Sequence, residues 1–328
     1  MKNKRGFIFN CLVIIICILY FIGIIIWPKD IIITTKKSVT IWFDSVLPAL
    51  FPYFLIINIL VETNILSIVS VIFTPFAKKL LGIPPIGVST YLIGIFSGYP
   101  IGIKTVCSLY KNNKISMDEA KLLSMYVNNT SPLFIIGTCG VIMLNSYKLG
   151  IYMYLSHIIG SLVLGILLSR FFNSNLYSTS EKTIRINLEL GTIIPHSVYD
   201  SSITIIMICG YITLFMNLNT IFNNLGIYNI ISSIATNNTV IKSIINSILY
   251  GFFEMTNGII AISNSQVNKI IKSIIMVLLV SWGGLSVHFQ AISFLNHVNI
   301  QSKYYVIGKL LHSIIATFIY TILSFYLL

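Results

Sequence analysis

Phe96-Ser97-Gly98-Tyr99-Pro100-Ile101-Gly102-Ile103-Lys104 is the stretch whose reading decides the fold. It lies inside an apolar segment that begins near Ile86. A continuous helix is disfavoured there. Pro100 has no backbone N–H and clashes with the preceding turn. Gly98 and Gly102 are conformationally free and leave backbone exposed. Unpaired backbone at membrane depth survives only where it is buried in protein or lines a polar cavity. The stretch therefore reads as a broken membrane helix beside a binding site. Breaks of the same kind recur at Asn128-Asn129-Thr130-Ser131-Pro132, at Gly251-Phe252-Phe253-Glu254-Met255-Thr256-Asn257-Gly258, and at Ser281-Trp282-Gly283-Gly284-Leu285-Ser286-Val287-His288.

The rest of the composition agrees with a membrane setting. Of 328 residues, 56% are hydrophobic and only 9% charged, and the mean hydropathy is +0.89. The apolar runs are continuous, whereas a transmembrane barrel alternates apolar and polar residues. The expected class is an all-α, polytopic helical membrane protein with about 8–11 membrane segments, located in the cell membrane as a multi-pass chain. A net charge of +12 would suggest nucleic acid in a soluble protein. In a membrane chain it points to basic flanks facing the cytoplasm and anionic lipid, so membrane lipid is the expected partner and nucleic acid is not. Cys11, Cys17, Cys107, Cys139 and Cys209 fall in or beside apolar runs without CxxC spacing. They read as small buried hydrophobes rather than disulfide or metal ligands.

Lys2, Lys4 and Arg5 precede an apolar run from Phe7 to Trp27. The run is too long for the apolar core of a signal peptide and lacks a small-residue cleavage site, so it reads as an uncleaved first helix with its N-terminus inside. Residues 1–38 form that helix and a loop. A second helix is expected from Val39 to Val61. Ile65–Leu81 either spans or lies along the interface, and Asn217–Asn238 resembles it. The polar connection Arg170–Glu189 divides the chain into two similar halves, 39–171 and 196–328, joined by a linker at 172–195. Ser45-Val46 and Ser197-Val198 open matching helices, 152 residues apart, and Tyr152 and Tyr304 open the last helix of each half at the same offset. Two broken segments lie between them in each half. This is the repeat architecture of many transporters. Whether the halves run parallel or inverted depends on whether Ile65–Leu81 crosses.

The candidate substrate-binding residues are those at the breaks: Ser97, Tyr99, Asn128, Asn129, Ser131, Glu254, Asn257, Ser286, His288 and Gln290. Glu254 stands alone in an apolar segment. An ionised group at membrane depth costs about 2.5–3.5 kcal/mol on insertion scales. A cation, a solute hydroxyl or amine, protonation, or a hydrogen bond to a neighbouring helix must offset it. Asn128, Asn129, Thr130 and Ser131 can read the donors and acceptors of a polar ligand, or serve as interhelical glue. Ser286, His288 and Gln290 share a face only if the chain is extended there. His288 alone is a satisfied core histidine; beside Glu254 it could exchange a proton. Lys104 is expected to snorkel to the surface, and Asp44, Glu62 and Asp200 to sit near helix ends. No nucleotide-binding, zinc-protease or hydrolase motif occurs, and neither a catalytic centre, a metal site nor a cofactor is expected.

Leu47-Pro48-Ala49-Leu50-Phe51-Pro52, Phe96–Gly102, Asn128–Thr138, Gly251–Gly258 and Gly283–His288, in this order, resemble the YlbJ-type sporulation integral membrane proteins of the nucleoside-recognition, or Gate-domain, group. The resemblance runs from about Asp44 to the C-terminus. It implies an inner-membrane protein of endospore formers, needed for the spore cortex, and permease-like towards a small polar solute, nucleoside-like or cortex-related. A coupling cation or proton, a homo-oligomer and sporulation membrane partners are compatible with it. A scaffold for cortex assembly that transports nothing is the alternative. Trp282 and Phe289 stand where the family pattern has smaller residues, and both are expected to narrow a cavity.

Overall fold

A computed structural model of the chain describes residues 2–63, 65, 68, 85–171 and 189–327. Its regular elements among these residues are all helices. The helices are α1 (Lys2–Ile26), α2 (Pro28–Ile41), α3 (Leu47–Glu62), α4 (Pro85–Ser97), α5 (Ile101–Lys111), α6 (Met117–Ser124), α7 (Tyr147–Ser169), α8 (Leu190–Asn224), α9 (Ile227–Ala235), α10 (Thr239–Phe253), α11 (Met255–Ser263), α12 (Lys269–Trp282), α13 (Gly284–His297) and α14 (Ser302–Leu327). Two π-helical segments, Trp42–Val46 and Leu133–Met143, complete the order. The all-α, multi-pass expectation holds. Among the described residues, four stretches are long and apolar enough to cross a membrane: Tyr147–Ser169, Leu190–Asn224, Lys269–His297 and Ser302–Tyr326. A fifth arises if α1 and the helix after it, bent by 108° at Trp27, form one span. The other apolar helices are short because the breaks divide them.

Three boundaries differ from expectation. The presumed loop before Val39 is helical: Pro28 starts α2, as proline at a first turn gives up no intrahelical bond. The end of the presumed polar linker is also helical, because α8 begins at Leu190. Asn217–Asn238 is not one unit. Its first part continues α8, and its second is the nine-residue α9, far short of the roughly 20 residues that a span needs. Most of Ile65–Leu81, and 172–188 of the linker, lie outside the described residues. Cys107 and Cys139 are buried as expected, while Cys17 is exposed.

The long helix α8 packs along α2 and α3, and small polar side chains tie them. Ser38 and Thr213 share a hydroxyl bond of 2.8 Å, as do Thr34 and Thr220. The Trp42 ring N–H donates to the Ile205 carbonyl at 2.8 Å. Between lipid-embedded helices, such bonds and close packing replace the hydrophobic drive. The last helices of the two chain segments, α7 and α14, also lie against each other. A Cβ on Gly160 would stand 2.8 Å from the Ala316 backbone, so glycine there lets the two backbones touch. The helices before them, 85–143 and 239–297, carry the four breaks.

Candidate functional site

The chain folds so that its four breaks meet. At the first, α4 stops at Ser97 and α5 starts at Ile101. At the second, α6 ends at Ser124 and the π-helical segment starts at Leu133. Gly98 of the first break sits against Ser131 of the second, where a Cβ would come within 3.2 Å. Gly102 lies so close to the Val127 carbonyl that a Cβ would be 2.5 Å away. The first and second breaks are thus packed backbone to backbone, and the glycines permit it.

The fourth break is bound to both. α12 ends at Gly283, and Gly283 and Gly284 take the left-handed values of φ, 87° and 75°, that favour glycine. This frees the carbonyls of the last α12 turn. The Val280 carbonyl accepts the Tyr99 hydroxyl at 2.9 Å and the Thr130 hydroxyl at 3.0 Å. The third break closes from the other side: a Cβ on Gly284 would lie 2.9 Å from the Met255 nitrogen. The span itself runs on through Gly283, so this break interrupts hydrogen bonding without ending the crossing.

A set of residues that the sequence reading passed over fills the junction. Lys309 of α14 is fully buried. Its Nζ donates to the Asn128 carbonyl at 3.0 Å, lies 3.0 Å from His312 Nδ1, and stands 4.8 Å from the centre of the Tyr99 ring. His312 Nε2 is 2.8 Å from the His157 carbonyl. A carbonyl only accepts, so Nε2 carries the proton and Nδ1 is left to accept from Lys309. His157 Nε2 accepts the Thr130 backbone N–H at 3.0 Å, so its Nδ1 carries the proton and donates to Ser281 Oγ at 2.8 Å. The two imidazoles lie 4.6 Å apart, centre to centre. The ion pairs Lys121–Asp118 and His196–Glu62 do not involve Lys309.

The predicted residues fall into three groups. Tyr99, Asn128, Asn129, Ser131, Ser286 and His288 are buried at or beside the junction. Asn128 Nδ2 donates to the Tyr305 hydroxyl at 3.0 Å, and the Tyr305 ring lies 5.3 Å from His288. Asn129 Oδ1, Ser286 Oγ and His288 Nε2 are buried with no hydrogen-bond partner. Ser97 and Gln290 are buried as well, Ser97 as the last residue of α4.

Glu254 and Asn257 form the second group and bind each other. Glu254 is the N-cap of α11, and its Oε2 accepts the Asn257 N–H at 2.8 Å; Thr256 also hydrogen-bonds it. The possible Glu–His partnership does not form: His288 Nδ1 donates to the Gly284 carbonyl at 2.8 Å and Nε2 meets no partner. Ser286, His288 and Gln290 lie on the helix α13, so alternate positions do not share a face. The bulky neighbours make up the third group. Trp282 packs on His288 at 4.1 Å and stacks on Phe252 at 5.6 Å. Phe289 instead lies 5.5 Å from Phe215 and is 40% exposed, so it does not narrow the junction.

A cleft of about 510 Å³ opens beside the junction, between α3, α5, α8 and α13. Ile101, Lys104, Lys111, Glu62, His196, Asp200 and His297 are among its walls. Lys104 does not run out to the surface: Nζ donates to Thr204 Oγ1 at 3.0 Å. Glu62 pairs with His196 at 2.6 Å. Asp200 sits well inside α8 rather than at its end.

Over 311 residues the chain is 25% identical to sporulation integral membrane protein YlbJ of Bacillus subtilis (strain 168). The match covers 88% of this chain and 76% of that protein. No family model matches the chain, and no solved structure does. The matched relative is an integral membrane protein, in agreement with the long apolar helices found here.

His157, Lys309 and His312 are the residues that sequence reasoning missed. One signal was available. The two histidines stand 155 residues apart (312 − 157) on the last helices of the two halves, close to the 152-residue offset of the other matching positions.

Proposed function

We propose that the chain is a permease-like sporulation membrane protein whose four breaks bind a small polar solute carrying negative charge. The observation that carries this reading is Lys309. A fully buried ammonium held by a carbonyl, a neutral imidazole and an aromatic face has no counter-charge among the described residues. Burying an ion is costly unless an opposite charge joins it, and an arriving carboxylate or phosphate supplies one. The N-terminal ends of α5 and α13 lie at the same junction, that of α11 being capped already by Glu254, and helix N-termini favour anions. Asn129 Oδ1, Ser286 Oγ and His288 Nε2 are unpartnered, which leaves groups for the polar remainder of the solute. The adjacent cleft, with Ile101 and Lys104 in its wall, is the approach. The 25% identical relative is a sporulation membrane protein, which supports the cellular setting.

The order of elements supports two repeats. Two broken helices and one long helix make up 85–169, and the same series makes up 239–327. In each, the long helix contributes a histidine to the shared centre.

The test is a thermal-shift screen on detergent-purified protein with nucleosides, cell-wall precursors, dipicolinate and simple cations. A bound solute stabilises by mass action, about 2.7 kcal/mol at a hundredfold excess over Kd. The expected result is a shift with anionic members that Lys309→Met abolishes. Equal shifts with neutral solutes, or an anion shift that survives Lys309→Met, would overturn the proposal.

A further inference from the structure

The junction holds a second binding site, for a proton. We propose that the Lys309–His312 pair is the proton-binding site that couples the second and fourth breaks; this rests on the reading above and names its coupling ion. The geometry makes the case in three steps.

Lys309 Nζ faces three electron-rich groups: the Asn128 carbonyl, His312 Nδ1 and the Tyr99 ring. An ammonium has three protons for these three directions. An amine has two and would turn a lone pair on one of them. The site as built therefore matches the protonated form, and losing the proton forces one contact to open.

The acceptor beside it is prepared. His312 Nδ1 is held unprotonated by the Nε2–H bond to the His157 carbonyl. A proton passing along the 3.0 Å contact breaks one N–H bond on Lys309 and makes one on His312 Nδ1, leaving an amine and an imidazolium with charge unchanged. Release of that proton to water leaves both groups neutral. Among the described residues the titratable groups around Lys309 are Tyr99 from the first break, His157 from α7, His288 from α13, and Tyr305 and His312 from its own helix. None of these is a carboxylate, so the charge at the site is set by the proton itself.

The contacts lead to the breaks. Asn128 belongs to the second break, and two residues on, Thr130 bonds both Val280 and His157. Tyr99 bonds Val280 as well, and His157 bonds Ser281. Tyr99 and His157 are therefore each one bond from the end of α12, and Asn128 reaches it through Thr130. A proton on Lys309 ties the breaks together; its loss loosens them.

The experiment is amide hydrogen exchange on the full chain in detergent, without any solute, with rates corrected for their intrinsic pH dependence. In the wild type, peptides covering 127–131 and 279–284 are expected to lose protection together as pH rises between the ordinary ranges of histidine and lysine, about 6.5 to 10.4. The expected loss is about tenfold, the equivalent of roughly 1.4 kcal/mol. Lys309→Arg keeps a permanent charge and should hold both peptides protected at every pH. Lys309→Met should leave them unprotected at every pH. A flat wild-type profile, or the same pH step in wild type and both variants, would overturn the proposal. The absence of any stabilising solute in the screen would sink the transport reading but would not alter this exchange profile, so the two can fail separately.

Discussion

Glu254 and Lys309 are both ionisable residues buried in apolar helices, and the fold treats them in opposite ways. Glu254 is answered within its own turn: its carboxylate caps α11 through the Asn257 N–H three residues on. Lys309 has one partner on its own helix, His312, but is also answered from afar, by a carbonyl 181 residues away and a ring on the first break. The difference teaches where to look for function in such a chain. A buried charge satisfied by its own helix is explained by that helix. A buried charge held by several distant elements ties those elements together.

The contrast is broken most directly at Lys309. Lys309→Met leaves the Asn128 carbonyl and His312 Nδ1 buried with no donor. Each buried acceptor stranded in this way costs about 1–3 kcal/mol, about 2–6 kcal/mol for the two, and removing an unpaired buried charge offsets part of that, so a net loss of about 1–4 kcal/mol is expected on unfolding in mixed micelles. A cost below about 1 kcal/mol would mean that Lys309 is not a structural centre of the junction.

Glu254→Gln is the matching change on the other side and should cost less. The glutamine oxygen still accepts the Asn257 N–H, and what is lost is a negative charge at a helix N-terminus, about 0.3–1 kcal/mol. The same unfolding measurement checks it. If Glu254→Gln cost more than Lys309→Met, the long-range description of the junction would belong to Glu254 instead.

The sequence was legible where chemistry is local. Pro100, Pro132 and the pair Gly283–Gly284 announce interruptions that need no tertiary contact to be recognised, and all of them interrupt helices here. Ser116 and Glu119 form a capping box that the reading of the sequence did not single out, with Ser116 N–H on Glu119 Oε2 at 2.6 Å and Glu119 N–H on Ser116 Oγ at 3.2 Å. The junction was only half legible. Asn128 and Tyr99 sit at breaks and were found. Lys309 sits inside an unbroken helix, a few residues past Lys303 near its start, where a lysine normally reads as a snorkelling flank. Only packing α7 against α14 turns it inward. The positions of Asn217–Asn238 were missed for a related reason: an uncharged stretch gives no sign of where one helix ends and the next begins.

The smallest effect belongs to the exposed pair, and it gives the comparison its floor. Asp118 and Lys121 lie one turn apart on α6, 2.7 Å between charged atoms, with Asp118 largely exposed. Their bond is as local as that of Glu254, but water screens it, and holding two long side chains together costs entropy. Asp118→Asn is therefore expected to change stability by no more than about 0.5 kcal/mol, and less in high salt. Burial is then what separates Asp118 from Glu254, and distance between partners is what separates Glu254 from Lys309. An Asp118→Asn cost as large as that of Glu254→Gln would show that burial adds little to a locally satisfied charge in this chain, and the first of those two distinctions would fall.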